Sequence, residues 1–89
     1  MSATHPKIAR RARMQWDAPE SRWMLLYPER GLALNETAAL VVKLCDGSRS
    51  VDEIIASLAA QSKDRGSVAE IDRDVRQFLA RLTEKNLIE

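Results

Sequence analysis

Apolar and polar residues alternate through the first third of the chain, a pattern typical of strands that bury one face. Short polar turns containing Pro or Gly separate the alternating segments, and Pro28 ends the second one because it has no N–H for a ladder. The pattern therefore predicts three short antiparallel strands, over residues 12–17, 22–27 and 32–34.

The turn between the first two strands predicts their register. If Asp17 pairs with Arg22, an opposite-charge pair closes one end of the hairpin. The same register then places three further pairs on one face: Trp16 with Trp23, Met14 with Leu25, and Ala12 with Tyr27. The second strand is apolar on both faces. We therefore expect the face with Trp16, Trp23 and Tyr27 to be covered by the N-terminal segment, a second copy or a partner.

After the strands, the apolar spacing changes to the 3.6-residue period of helices. Asn35 is a good N-cap, and Ser50 and Ser67 each open a Ser-x-x-Glu capping box. The pattern predicts three helices, which end near Cys45, before Asp64 and near Asn86. The apolar stripe predicted for the third helix consists of Val68, Ile71, Val75, Phe78, Leu79 and Leu82.

Strands followed by helices predict an α+β fold. We expect a three-stranded antiparallel sheet followed by three helices, with a winged helix-turn-helix-like shape. The 89 residues allow one domain, which we place at residues 10–89. Residues 1–9 lack any periodic pattern and predict a flexible N-terminal tail.

The charge distribution argues against a nucleic-acid partner. The first 30 residues carry six basic and three acidic side chains, and the rest carry eight and ten. Within the third predicted helix the charges balance: Arg73, Arg76, Arg81 and Lys85 stand against Glu70, Asp72, Asp74 and Glu84. A helix that reads DNA needs a basic or amide-rich free face. The longest apolar run is too short to cross a membrane, and a lone cysteine fits a reducing cytoplasm, so we expect a soluble cytoplasmic protein.

The sequence offers no constellation for catalysis. His5 is the single histidine and has no ligand or acid–base partner at a useful spacing. Cys45 ends an apolar stripe at the negative end of a helix, which disfavours a thiolate. Asp72 and Asp74 point about 200° apart on a helix and cannot share a substrate. We therefore expect a binding module with no metal or cofactor, and not an enzyme.

An ordered set of short motifs points to a family. The motifs are Leu25-Leu26-Tyr27-Pro28-Glu29, Leu34-Asn35-Glu36-Thr37-Ala38, Cys45-Asp46-Gly47, Val51-x-x-Ile54 and Asp74-Val75-x-x-Phe78-Leu79-x-x-Leu82. Each is weak alone, but the set spans about residues 7–88 in the right order. In this respect the chain resembles the PqqD family of pyrroloquinoline quinone biosynthesis, part of the peptide-recognition elements of ribosomal peptide modification.

The resemblance implies a peptide chaperone. Members bind PqqA, a ribosomally made precursor peptide, and present it to PqqE, a radical S-adenosylmethionine enzyme that cross-links a glutamate and a tyrosine of the peptide. It also implies that the peptide adds a strand to the sheet edge beside the third helix. A winged-helix DNA-binding protein and a recognition domain for a different modified peptide are the alternatives, and monomer and homodimer both remain open.

A short third strand suits this binding mode, because an edge strand offers free backbone N–H and C=O groups to an extended peptide. We expect specificity to come from one flank of the third helix, where Arg76 could pair with a carboxylate and Leu79 could receive an apolar side chain. For any one of these flank residues, a purely structural role is the alternative. The predicted peptide-binding residues are Leu32, Ala33, Leu34, Asn35, Asp72, Val75, Arg76 and Leu79.

Overall fold

The computed structural model describes residues 5–28, 30–61 and 67–89. Within these residues, three strands come first and three helices follow, which confirms the predicted α+β fold. The elements are β1 (Arg13–Asp17), β2 (Arg22–Tyr27), β3 (Arg30–Leu34), α1 (Glu36–Leu44), α2 (Val51–Gln61) and α3 (Val68–Glu84). The predicted stop of the second helix before Asp64 lies outside the described residues.

The strands form one antiparallel sheet in the order β1-β2-β3, so β3 is an edge strand. Asp17 pairs with Arg22, and the pairs Trp16 with Trp23 and Met14 with Leu25 follow in the predicted register. On the other side of β2, the rows continue as Leu25 with Leu32 and Trp23 with Leu34. Strand β3 begins two residues earlier than predicted, at Arg30.

The face of the sheet that carries the tryptophans is the face that packs on the helices, so the prediction that it needs separate cover is wrong. Side chains two apart on a strand share a face, and Trp23 and Tyr27 flank Leu25, which is fully buried. Both aromatic side chains pack against the core cluster. Trp16, on the other edge strand, is 49% exposed and meets Trp23 edge-to-face at 5.4 Å between ring centroids.

The helix starts follow the predicted capping residues. The side chain of Asn35 accepts a hydrogen bond of 2.7 Å from a backbone N–H in the first turn of α1. At α2 the capping box is reciprocal: Glu53 N–H donates to Ser50 Oγ (3.1 Å), and Ser50 N–H donates to the Glu53 carboxylate (2.8 Å). At α3, Ser67 Oγ accepts from Glu70 N–H at 3.2 Å. These bonds satisfy backbone donors that a helix start would otherwise leave free.

One stripe of α3 fills the centre of the core. Its buried members are Ile71, Val75, Leu79 and Leu82, with Phe78 half-buried beside them. Val68 was predicted to belong to this stripe, but its side chain is 61% exposed. It opens the first turn of α3, one turn before Ile71, and therefore projects beyond the core.

The N-terminal segment packs on the domain in its described part, which corrects the predicted flexible tail for residues 6–9. Ile8 forms a β-bridge with Ile88, and Ala9 N–H donates to the carbonyl of Leu87 at 2.8 Å. Ala9 is 6% exposed and Leu87 is fully buried. The residues that follow α3 thus supply an extended backbone on which the segment docks. The first four residues lie outside the described part of the chain.

Candidate functional site: a groove between the edge strand and the last helix

A groove of about 570 Å³ lies between β3 and α3. Helix α1 forms its floor, where Thr37, Ala38 and Val41 line it. Asn35 is both the linker between β3 and α1 and the N-cap of α1. Because α1 starts directly after β3, this connection restricts the distance between the groove floor and the strand. Ala38 and Val41 are almost entirely buried, so the floor is apolar and closely packed.

One wall of the groove is the free edge of β3. Leu32 and Ala33 line it, and Asn35 lies at its end. Among the described strands, β3 is hydrogen-bonded to β2 alone, so its other side presents backbone groups that lack a strand partner. Such an edge pairs readily with an extended chain.

The opposite wall is one face of α3. Four of the five residues that line it, Asp74, Gln77, Phe78 and Arg81, follow the i, i+3, i+4, i+7 spacing of a single helix face, and the fifth is Ala80. Phe78 is half-buried at the margin of the core, whereas the three polar side chains are exposed. The wall therefore presents an aromatic ring between an acid and a base.

Four of the predicted site residues belong to the β3 region, and the structure brings them together. Leu32, Ala33 and Asn35 line the groove. Leu34 lies in the same strand, but its side chain is buried in the core and is 4% exposed. Its backbone, rather than its side chain, is therefore the part that lies at the sheet edge.

The four residues predicted from α3 do not line the groove. Val75 is fully buried and Leu79 is 8% exposed, so both side chains belong to the core. Arg76 donates to Asp72 at 2.8 Å and to Asp52 of α2 at 2.9 Å. Hydrogen bonds to Asp72 and then to Asp52 raise the pKa of the Arg76 guanidinium. These groups join α3 to α2, on the flank turned away from β3.

The α3 residues that do line the groove were not among the predicted site residues: Asp74, Gln77, Phe78, Ala80 and Arg81. A helical wheel gives a signal for Asp74 and Arg81, which border the apolar stripe about as closely as Asp72 and Arg76 do on the other side, whereas Phe78 belongs to the stripe itself. The wheel does not say which border faces the sheet. That depends on where α2 packs, which is a tertiary contact.

Cys45 and His5, the titratable side chains most suited to catalysis or metal binding, are not arranged for either role. Burial, and then the negative charge of Asp46, raises the pKa of the Cys45 thiol to about 12, so the thiol stays protonated at neutral pH. His5 is exposed at the start of the described chain. Across residues 5–28, 30–61 and 67–89, no three His, Cys, Asp or Glu side chains come together as a metal site. In the same ranges, no helix has the length and hydropathy needed to cross a membrane.

Comparison with solved structures defines the class of protein. The solution NMR structure of the PqqD truncation of Methylobacterium extorquens PqqCD, described as a functional and stand-alone recognition element for ribosomally synthesised and modified peptides, matches with a TM-score of 0.78 and 32% identity, over 94% of this chain and 87% of that one. The complex of TbiB1 with the TbiA(beta) leader peptide matches with a TM-score of 0.75 at 21% identity, which supports the fold alone. The fold is that of a peptide recognition element.

Comparison with sequences gives the family. The family model for coenzyme PQQ synthesis protein D (PqqD) matches residues 22–88. A PqqA binding protein of Rhodopseudomonas palustris (strain TIE-1) is 42% identical over 86 residues, covering 96% of this chain and 81% of the relative. That of Kluyvera intermedia is 39% identical, covering 94% and 88%. The chain belongs to the PqqD family. Because these relatives are named as binding proteins, the expectation of a non-catalytic module is confirmed.

Proposed function

We propose that this chain binds the precursor peptide PqqA in the groove between β3 and α3 and presents it to PqqE, in the cytoplasm, during pyrroloquinoline quinone biosynthesis. The observation that carries the proposal is the free edge of β3, which lies directly beside an apolar-floored groove. The names of the relatives, PqqA binding proteins, support the identity of the peptide.

Strand addition explains how such a small domain can hold a peptide. Main-chain hydrogen bonds to residues 31–35 supply affinity with little demand on peptide sequence. Alternate side chains of an added strand point to opposite faces. One set then faces the α1 floor and the ring of Phe78, and the other set faces solvent.

The structure revises which α3 side chains we assign to the peptide. We propose contacts from Asp74, Gln77, Phe78 and Arg81, because these residues line the groove. Val75 and Leu79 would act indirectly, by fixing α3 against the core. Asp72 and Arg76 would fix α3 against α2, since their hydrogen-bonding atoms are engaged there.

Isothermal titration with synthetic PqqA from the same genome tests binding, and N-methylation of the peptide tests strand addition. A methyl group on a backbone nitrogen removes one N–H donor without changing the side chain. We expect binding to weaken about tenfold or more at every second residue of the bound segment, because only alternate residues of an edge strand face the neighbouring strand. Uniform tolerance of N-methylation would rule out strand addition, and absence of binding by unmodified PqqA would rule out the function.

Presentation to PqqE is a separate part of the proposal. A peptide in the groove leaves the outer face of the sheet and most of α2 free for an enzyme. The test is the rate at which purified PqqE cross-links PqqA with and without one equivalent of this chain. We expect cross-linking to depend on the chain. An equal rate in its absence would contradict presentation while leaving peptide binding intact.

A further inference from the structure

The groove wall formed by α3 carries opposite charges at its two ends. Asp74 and Arg81 are the two charged side chains that line the groove within the described residues. They lie seven residues apart on one face, about 10.5 Å along the helix axis at 1.5 Å per residue. Phe78 lies between them. One end of the wall is therefore acidic, the middle is aromatic and the other end is basic.

Neither Asp74 nor Arg81 is held by a strong ion pair within the described residues, so both side chains can pair with a charged ligand. Asp74 makes a loose contact of 3.6 Å with its sequence neighbour Arg73, and both side chains are more than half exposed. Arg81 has no ion pair with any residue in the described part of the chain. The contrast is with Arg76, which is engaged by two carboxylates at 2.8 and 2.9 Å.

The helix dipole accounts for the position of Arg81, which lies in the last turn of α3, but not for that of Asp74. Acidic residues favour the first turn of a helix and basic residues the last, but the effect falls off beyond those turns. Asp74 is the seventh residue of α3, which starts at Val68, so it lies beyond the first turn. A pair four residues apart would stabilise the helix directly, and Asp74 and Arg81 are not spaced in that way.

We propose that Asp74 and Arg81 form a polarity reader, which selects a peptide segment with a basic side chain at one end, an apolar side chain in the middle and an acidic side chain at the other end. In an extended strand, side chains of one face recur about every 6.7 Å, so residues four apart span about 13 Å. Flexible arginine and lysine side chains cover the difference from 10.5 Å. The reader gives the bound peptide one direction along the groove. This inference rests on the proposed function, because it assumes that a peptide occupies the groove.

A charge exchange tests the reader at constant net charge. The double variant Asp74→Arg with Arg81→Asp reverses the polarity of the wall. Its matched control is Asp72→Arg with Arg76→Asp, which reverses a pair on the other flank of the same helix. The two probes are PqqA and a charge-inverted PqqA, in which every acidic residue is replaced by Lys and every basic residue by Glu. Binding is measured by isothermal titration at low salt.

We expect the wild-type chain and the control variant to prefer PqqA over the inverted peptide by about tenfold. The Asp74/Arg81 exchange should reverse that preference. An unchanged preference would overturn the reader while leaving the proposed function in place. Failure of the wild-type chain to bind PqqA would instead overturn the proposed function. Loss of both peptides by a folded exchange variant would also overturn the reader.

Neutral variants keep the test decisive if the exchanged chain does not fold. The variant Asp74→Asn with Arg81→Gln removes both charges and keeps a polar side chain at each position. We expect its preference between the two peptides to fall to within about twofold. A tenfold preference retained by this variant would show that the peptide is oriented by other groups.

Discussion

Helix α3 has two polar flanks, one beside α2 and one beside the groove. On the α2 side, Arg76 is held by Asp72 and by Asp52 of the neighbouring helix. On the groove side, Arg81 and Asp74 face open space across from the edge of β3. The two flanks have similar side chains, an arginine and an aspartate each, but only one of them adjoins a surface that a peptide can enter.

Amino-acid composition alone therefore does not identify which flank of a helix faces an open groove. Charged residues beside an apolar stripe can join two helices of the same domain, or they can line an open groove that binds a ligand. The neighbouring element distinguishes the two cases. Helix α2 packs on one flank, whereas a groove separates the other flank from the free edge of β3. Variants on each flank should therefore separate stability from binding.

The largest expected effect is on stability. Leu79 is 8% exposed and packs in the core. Leu79→Ala should lower the free energy of unfolding by about 2–4 kcal/mol, because it leaves a cavity. Urea denaturation measures this, and PqqA affinity under conditions where the variant is folded should change by less than about threefold. A large loss of affinity with little loss of stability would return Leu79 to the peptide site.

Phe78, one residue earlier, should differ from Leu79 in its effect on PqqA affinity. Phe78→Ala removes the aromatic surface from the groove wall and should raise the Kd for PqqA at least tenfold, as buried aromatic contacts commonly do. Isothermal titration measures it. The control is Val68→Ala on the same helix, where the side chain is 61% exposed and outside the groove. Equal affinities for the two variants would contradict the assignment of the wall.

The two arginines offer a matched comparison. Arg81→Ala should weaken PqqA binding about threefold to fivefold, and the loss should shrink as salt is added. Arg76→Ala should leave affinity within about twofold and slightly lower the Tm, since it removes exposed ion pairs with Asp52 of α2 and with Asp72 of α3 itself. The reverse ranking of affinities would place the peptide on the α2 side of the helix.

The smallest expected effect is on stability and concerns α2, the helix that packs on the Asp72 and Arg76 flank of α3. Hydrogen bonds from the N–H and hydroxyl of Ser50 lower the pKa of the Glu53 carboxyl below its usual value. A lowered pKa means that the carboxylate stabilises the fold above its unfolded pKa and that this contribution is lost as pH falls through the folded value. Glu53→Gln should therefore lower the Tm by about 1–3 °C at pH 7 and by less at pH 3. Scanning calorimetry checks this, and a difference that grows at pH 3 would contradict it.

Local chemistry made much of the fold predictable. The Asp17–Arg22 pair predicted the hairpin register, and Asn35, Ser50 and Ser67 predicted the helix starts, because caps and cross-strand pairs involve residues close in sequence. These features need no knowledge of how the elements pack.

Two features that could not be predicted depend on contacts between elements far apart in sequence. Docking of residues 6–9 depends on Leu87 and Ile88 at the other end of the chain. The choice of flank on α3 depends on Asp52 of α2, which lies 24 residues from Arg76. Helical periodicity marks the apolar stripe but treats its two borders alike.

One measurement tests the groove assignment most directly. Isotope-filtered NOEs between unlabelled PqqA and ¹³C-labelled chain report which side chains touch the peptide. We expect contacts from the ring of Phe78 and from the methyl groups of Ala33 and Thr37. Contacts from Leu79 or from the side chain of Arg76, without any from Phe78, would contradict the groove assignment.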